Sequence, residues 1–359
     1  MNKSLKLITL FFLILFLQNC TSDDRAIILD NPPPSGDYAN GILVLNEGGY
    51  TYSNASVSFI DASGQAYHNV FFAVNGRGLG DVAQSIGFNG DLAYLLVNNS
   101  NTVEVVNRYT FESVATIETD ILNPRYITFF ENKGYITNWG DPIDTTDDYV
   151  AVLNIETNTV AATIPVAEGP EAIVNNNGIL YVAHKGGRGY GNSISIINAT
   201  SQTVTSSIQV GDVPGDMVLD NNNLYVICSG KASWTGDETS AGIYKINSAT
   251  NLVEAQITFA DGVHPGVLKK SNNSLLYTLN ASVYNIELSD FTLPAAALFN
   301  TSAQNIEVLY GFNIINDKIY ISDAKDYSSN GEVLVYSLEG DFQNGIDVKI
   351  IPNGCYNNN

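Results

Sequence analysis

Positive charge is scarce in this chain. Lys and Arg number 16 against 37 Asp and Glu, a formal charge of −21 over 359 residues. Nucleic acids are bound by clustered cations that displace counterions from phosphate, so a nucleic-acid partner is excluded. An anionic membrane surface is an equally poor match for the globular part. The acidity itself reads as self-repulsion that keeps an exposed surface soluble. Histidine is nearly absent, with three in the whole chain, and no spacing of Cys and His fits a metal site. The Gly-x-Ser-x-Gly nucleophile elbow is missing, as are the metalloprotease helix motif and a phosphate-cradling loop between strand and helix. Gly186-Gly187-Arg188-Gly189-Tyr190-Gly191 is Gly-rich, but no helix N-terminus follows it to supply a dipole. The apolar run from Leu7 to Leu17 is too short to span a bilayer comfortably.

That run is informative in its own right. Lys3 and Lys6 precede it, and it ends in Leu17-Gln18-Asn19-Cys20. The pattern resembles a bacterial lipoprotein signal, with Gln18 and Asn19 where small residues are usual. The resemblance implies cleavage before Cys20 and lipidation of that residue, with the lipid as the only membrane attachment. Thr21-Ser22-Asp23-Asp24 is similar to the surface-export signal of Bacteroidetes lipoproteins. The expected location is therefore the outer face of the outer membrane. Asp30 to Gly36, with Pro32-Pro33-Pro34, reads as a tether of partly polyproline character. Of the remaining cysteines, Cys228 lies in an apolar strand and Cys355 near the end of the chain; both read as buried thiols and not as a disulfide.

What the chain has in abundance is one short pattern, written seven times. Tyr-bearing apolar strands recur at Ala93-Tyr94-Leu95, Gly134-Tyr135-Ile136, Leu180-Tyr181-Val182, Leu224-Tyr225-Val226, Leu276-Tyr277-Thr278 and Ile319-Tyr320-Ile321, with Ile42-Leu43-Val44 a degenerate seventh. Each is preceded by an Asn- or Gly-rich hairpin turn and followed by alternating strands and a corner, often Pro124, Pro170, Pro214, Pro265 or Pro352. A period of roughly 40–50 residues with several short strands per unit marks a β-propeller blade. The fold is thus read as all-β: a seven-bladed β-propeller of four-stranded blades. Residues 1–19 form the signal peptide, 20–40 the lipidated Cys and tether, and 41–359 the propeller. The register starts at a blade's second strand, Ile42 to Leu45. Pro352-Asn353-Gly354-Cys355-Tyr356 carries the missing corner-plus-strand pattern, so the C-terminal strand is expected to close the ring in the first blade.

The repeats resemble YncE-like propellers with Tyr-Val-Thr-Asn repeats. More specific text is Gly41-Ile42-Leu43-Val44-Leu45-Asn46-Glu47-Gly48, Asn75-Gly76-Arg77-Gly78-Leu79-Gly80-Asp81 and Asn123-Pro124-Arg125-Tyr126-Ile127. It is similar to the seven-bladed surface lipoproteins of Bacteroidetes grouped as a domain of unknown function, among them the BtuG proteins. That resemblance implies cobalamin or a related corrinoid as ligand and a TonB-dependent outer-membrane transporter as partner. It implies no required cofactor.

A propeller has two faces. One carries only short Asn, Gly and Thr turns. The other gathers the long loops, where a rigid scaffold usually carries function. Tyr50 and Tyr52, Trp139, Arg188 and Tyr190, Trp234 and Tyr327 lie on the second face, with His184 at a strand end and Arg77, Asp81, Arg125 and His264 at corners. The candidate ligand-binding set is therefore Tyr52, Arg77, Asp81, Arg125, Trp139, His184, Arg188, Tyr190, Trp234, His264 and Tyr327; no catalytic and no metal residue is assigned. Exposed aromatics among spaced polar groups suit a ligand or partner site, whereas each alone is equally a packing residue. A lone loop His reads first as a hydrogen-bonding residue, and second as an axial ligand to a bound tetrapyrrole. Asp141, Asp144, Asp147 and Asp148 offer the hard oxygens calcium takes, at a spacing unlike an EF-hand. Three readings stay open: capture of a small nutrient for a transporter, a scaffold for a protein or glycan, and a propeller lactonase or lyase using Asp81, His184 and His264.

Overall fold

The computed structural model describes residues 38–141 and 143–359. The signal peptide, Cys20 and the Pro-rich tether lie outside the described residues. The described chain forms seven four-stranded antiparallel sheets arranged as the blades of a ring. The innermost strands of blades 2 to 7 are, in order, Ala83–Asn89, Pro124–Phe130, Pro170–Asn176, Pro214–Asp220, Leu268–Ser271 and Leu309–Ile315, and that of blade 1 is, from the C-terminus, Pro352–Asn357. The last joins blade 1 with Leu43 opposite Tyr356 and Val44 opposite Cys355, as the repeat register requires. Among the described residues no helix is long and apolar enough to cross a membrane.

The apolar core is divided among the blade interfaces. Seven clusters of buried hydrophobic residues each mix residues of two neighbouring blades; Tyr135, Val150 and Leu180, for example, bridge blades 3 and 4. The recurrent Tyr serves these seams. Its ring is buried in five of the six, and at two seams its hydroxyl reaches the next blade: Tyr135 donates to Ala199 O at 2.8 Å and Tyr181 to Ser248 O at 3.0 Å. This gives the ring both apolar burial and a directional hydrogen bond at each such seam. The inner hairpin turns use left-handed backbone at Gly90, Asn177, Asn221, Asn272 and Asn316, which is why Asn and Gly recur there.

The two termini of the described chain are knotted together at the short-turn face. Asn358 is fully buried; its amide donates to Tyr38 O and Arg108 O, and its Oδ1 accepts from Arg108 Nε at 2.7 Å. Arg108 also lies over the Phe88 ring, 4.0 Å from its centroid. Blade 1 departs from the repeat at its rim. Its outer strand is only Ala66–Tyr67, and a short helix, Val70–Asn75, follows. Val70 and Phe71 are buried beneath it, and Asn75 donates to Phe111 O of blade 2, so this helix seals a seam that a longer strand would leave open. His68 sits at the junction, with Nδ1 3.1 Å from Ser58 Oγ.

Candidate functional site

A bulge repeated in the inner strands builds the site. In blade 3, Pro124 pairs with Asn138 and Ile127 with Ile136, so three steps oppose two. Blades 4 and 5 repeat it between Pro170 and Ile173 and between Pro214 and Met217. The extra residue bends the strand and re-aims its side chains. Here it points Arg125, Glu171 and Asp216, just past each corner Pro, into the axial channel. Hydroxyls of the second strands hold the loosened backbone: Thr137 Oγ1 takes the Tyr126 N–H at 3.0 Å and donates to Glu171 O at 2.9 Å.

The channel is a polar cavity of about 430 Å³. Arg125 is bidentate on Glu171, at 2.9 Å and 2.8 Å, and Lys269 pairs with Asp216 at 3.0 Å. Glu47 accepts from the Tyr310 hydroxyl and the Asn353 amide, both at 3.0 Å. Burial pushes its carboxyl above the usual range, only partly offset by those two donors. Burial also acts on Glu171, but Arg125 and Lys185 outweigh it and hold that carboxyl low. Lys185 completes the lining from the end of blade 4's second strand.

Beside the channel mouth is a smaller cleft of about 200 Å³. Its position follows from loop length. Blade 2 joins its middle strands through residues 98–101 only, so Asn98 and Asn99 form a low floor walled by Tyr50, the blade 3 loop and Arg188. Trp139 separates cleft from channel. Arg125 Cζ lies 4.1 Å from its ring centroid, and Gly187 covers the indole from the other loop. Asp148, 2% exposed, accepts from the Gly169 N–H at 3.0 Å. Burial, with Asp147 and Glu168 nearby, pushes its carboxyl up to about 6.

Around both openings stands a rim of exposed apolar side chains from the long loops: Tyr50 and Tyr52 of blade 1, Ile143 of blade 3, Tyr190 of blade 4, Trp234 of blade 5 and Tyr327 of blade 7. Trp234 is the most prominent aromatic, at 81% exposure on a single 3-10 turn. Tyr327 stands edge-on to Tyr310 of the channel wall, with ring centroids 5.9 Å apart.

The eleven residues singled out from sequence therefore separate. Arg125, Trp139 and Arg188 meet at the channel and cleft, and Tyr52, Tyr190, Trp234 and Tyr327 stand on the rim. Four have structural partners. Arg77 is bidentate on Glu104 at 2.7 Å and lies over the Phe71 ring. Asp81 is buried and ties down the blade 1 loop through Thr51 N and Asn99. His184 is 1% exposed with Nε2 2.8 Å from Ser195 Oγ, and burial lowers its pKa to about 4. It is neutral and shielded, which removes it as an axial ligand or a surface acid. His264 spans Ser229 O and Glu238, pinning the Trp234 loop. In the blade 3 loop Asp141 and Asp144 cap turns through Ile143 N and Thr146, and Asp147 accepts from Asp141 N. Among the described residues no group of three or more His, Cys, Asp or Glu side chains is placed to hold a metal. Cys228 and Cys355 are free, buried thiols. Glu47, Glu171, Lys185, Asp216, Lys269, Tyr310 and Asn353 were not singled out from sequence. For two of them the signal is register: Glu171 and Asn353, like Arg125, directly follow a corner Pro.

The family model described as Domain of unknown function (DUF5074) matches residues 40–256. The chain belongs to this family. No curated protein matches this DUF5074 chain in sequence. Solved structures match it in fold. A quinonprotein alcohol dehydrogenase-like protein from Bacteroides thetaiotaomicron is 15% identical, with a TM-score of 0.66, over 90% of this chain and 79% of that one. Dihydro-heme d1 dehydrogenase NirN is 12% identical, with a TM-score of 0.57, over 91% and 76%. Hydrazine synthase of Kuenenia stuttgartiensis is 15% identical, with a TM-score of 0.56, over 74% and 89%. At such identities the likeness is one of fold alone.

Proposed function

We propose that this DUF5074 protein is a non-catalytic binding propeller that captures a small nutrient at its long-loop face. The observation that carries the reading is the rim: exposed aromatics from blades 1, 4, 5 and 7 surround a charged channel mouth on one face. Aromatic surface with a few oriented polar groups is the usual make-up of a ligand site. The burial of Asp81 and His184 counts against acid–base work, because a substrate on this face cannot reach their side chains.

As to the ligand, the family resemblance nominates cobalamin or a related corrinoid. A corrinoid is too broad for the channel and would lie across its mouth, its macrocycle on the rim and its amides over Asn98, Asn99 and Asn123. Delivery to a TonB-dependent transporter belongs to the same reading, as does anchoring through a lipid on Cys20. The first described residue, Tyr38, lies at the short-turn face. The 17 residues between Cys20 and Tyr38 reach at most about 60 Å when extended, enough for the rim to face either way from a membrane. A second reading, a glycan or protein partner, is favoured by the exposure of Trp234, since so exposed a side chain suits a broad surface contact.

Calorimetry of the mature protein with cyanocobalamin and with cobinamide tests the reading. A corrinoid ligand gives heat at micromolar protein, and Ala at Trp139, Tyr190 or Trp234 weakens it by about 1 kcal/mol or more at a central anchor. No heat from either compound removes the corrinoid reading. Three silent variants with binding intact move the site off this face.

A further inference from the structure

The Lys and Arg side chains of the long-loop face are almost all committed. Arg77 is on Glu104, Arg125 on Glu171, Lys231 on Asp212 and Asp237, Lys269 on Asp216, and Lys325 on Asp323 and Glu332. Among the described residues, four cationic side chains have no ion pair or hydrogen-bond partner: Lys133, Lys185, Arg188 and Lys318. Lys133 and Lys318 begin second strands at the opposite, short-turn face. The two spare cations of the functional face are thus Lys185 and Arg188, three residues apart in one loop. They flank the Trp139 partition, with Lys185 lining the channel and Arg188 the cleft.

We propose that the loop Lys185-Gly186-Gly187-Arg188-Gly189-Tyr190-Gly191 binds an oxyanion, a phosphate or carboxylate group, of the captured molecule. The proposal rests on the capture reading above and adds the chemistry of one end of the ligand. Its argument is electrostatic. A chain of charge −21 repels anions at long range, so an anionic group is held best by cations that make no direct ion pair; Arg188 is one, although Asp144, Asp148 and Glu168 line the same cleft and Glu168 accepts the Gly189 N–H at 3.0 Å. With Arg125–Glu171 and Lys269–Asp216 each joined as an ion pair, Lys185 is the channel cation that makes no direct ion pair, although its charge helps Arg125 hold the Glu171 carboxyl low. Arg188 offers a planar fork of donors suited to phosphate or carboxylate. The glycines let the loop fold tightly. Gly186 is left-handed, with φ of 83°, and a Cβ there would meet Gly191 N at 2.4 Å; a Cβ on Gly169 would meet Gly187 N at 2.2 Å. Only glycine allows this backbone to approach so closely, and the same compactness keeps Lys185 and Arg188 on either side of one indole.

The test uses simple anions on the mature protein. Sodium phosphate and sodium acetate are titrated separately at ionic strength held constant with sodium chloride, following tryptophan fluorescence, since Trp139 lies against the loop. A saturable change with either anion is expected, and the anion that saturates names the oxyanion. Lys185→Gln/Arg188→Gln should weaken it at least about tenfold, the effect of one charge-assisted hydrogen bond. Arg188→Lys should restore part of the loss, which a purely structural role would not. Arg188→Gln alone, at an exposed position, serves if the double variant does not fold. No saturation with either anion, or unchanged titration in the variants, overturns the proposal. The corrinoid calorimetry is decided separately: a phosphate response without corrinoid heat keeps the oxyanion loop and removes the corrinoid, and corrinoid heat without any anion response does the reverse.

Discussion

Arg125→Met breaks the ion pair on which the channel is built, and its cost can be worked from the structure. The Arg125 and Glu171 side chains are 12% and 7% exposed, and two parallel hydrogen bonds join them. Removing one partner of so buried a pair costs about 3–5 kcal/mol, because the other charge is left without compensation. That is roughly two to four powers of ten in the folding equilibrium. The distinctive signature is its dependence on pH. In the wild type Glu171 titrates below the usual range, so its contribution is full above the unfolded value of about 4.3 and is lost as pH falls through the lower folded value. Without Arg125 burial dominates and the folded value rises above 4.3. The carboxylate then destabilises, with no effect below about 4.3 and a growing one as pH climbs through the raised value. Urea denaturation at pH 7 and at pH 4 should therefore show a large deficit at the first and a much smaller one at the second. Glu171→Leu added to Arg125→Met should recover most of the loss at pH 7, since an apolar pair of similar volume carries no desolvation penalty. A deficit under 1 kcal/mol, or one equal at both pH values, refutes this account of the channel wall.

Three further outcomes follow from the same contacts. Deleting residues 352–359 removes the inner strand of blade 1 and bares the edge of Ile42–Asn46; the truncated chain should lose its cooperative melt, and a normal transition by circular dichroism would contradict ring closure as the source of stability. Asn358→Ala removes three hydrogen bonds at the terminal knot, one of them to a guanidinium, and should cost about 3 kcal/mol in chemical denaturation, with no change in ligand affinity because the knot lies on the far face. Asp148→Asn should stabilise the protein above pH 6. The folded pKa of about 6 exceeds the unfolded 3.9, so the charged form destabilises increasingly from pH 4 to 6, by about 2–3 kcal/mol at the plateau; Asn keeps an acceptor for Gly169 N, and a variant no more stable than wild type at pH 7 would sink the argument.

The fold was legible because each of its determinants is local and repeated. Left-handed turns at Asn177, Asn221, Asn272 and Asn316 write themselves as Asn, and a strand entered at a corner writes itself as Pro. Ring closure followed from register alone: a chain that starts on a second strand must find its first elsewhere, and Pro352–Asn357 supplies it. The helix Val70–Asn75 was not legible. Val70-Phe71-Phe72-Ala73-Val74 is an apolar run too short for periodicity to tell strand from helix, and the choice is made by the seam with blade 2 that Val70 and Phe71 fill.

The site was legible as a face and only partly as residues, and the reason lies in what a lone symbol in a sequence can say. In an acidic chain every Arg draws the eye, but rarity says nothing of whether a carboxylate has already claimed it. Arg77 and Arg125 both sit at corners and read alike. One is spent on Glu104 at the flank of blade 2, the other on Glu171 in the channel. His184 ends a strand as a site residue might, yet its Nε2 is held by Ser195 inside the sheet. Pairing is a relation between blades, through contacts such as Arg125 to Glu171, 46 residues away, and no local pattern encodes it. The reverse holds too. Lys185, unremarkable in the sequence, becomes informative only when the other channel cations, Arg125 and Lys269, are seen to be ion-paired and it is not. On the capture reading proposed above, the residues to test first are therefore the cations left without an ion pair once the blades have paired their own, and two of them, Lys185 and Arg188, lie on one short loop.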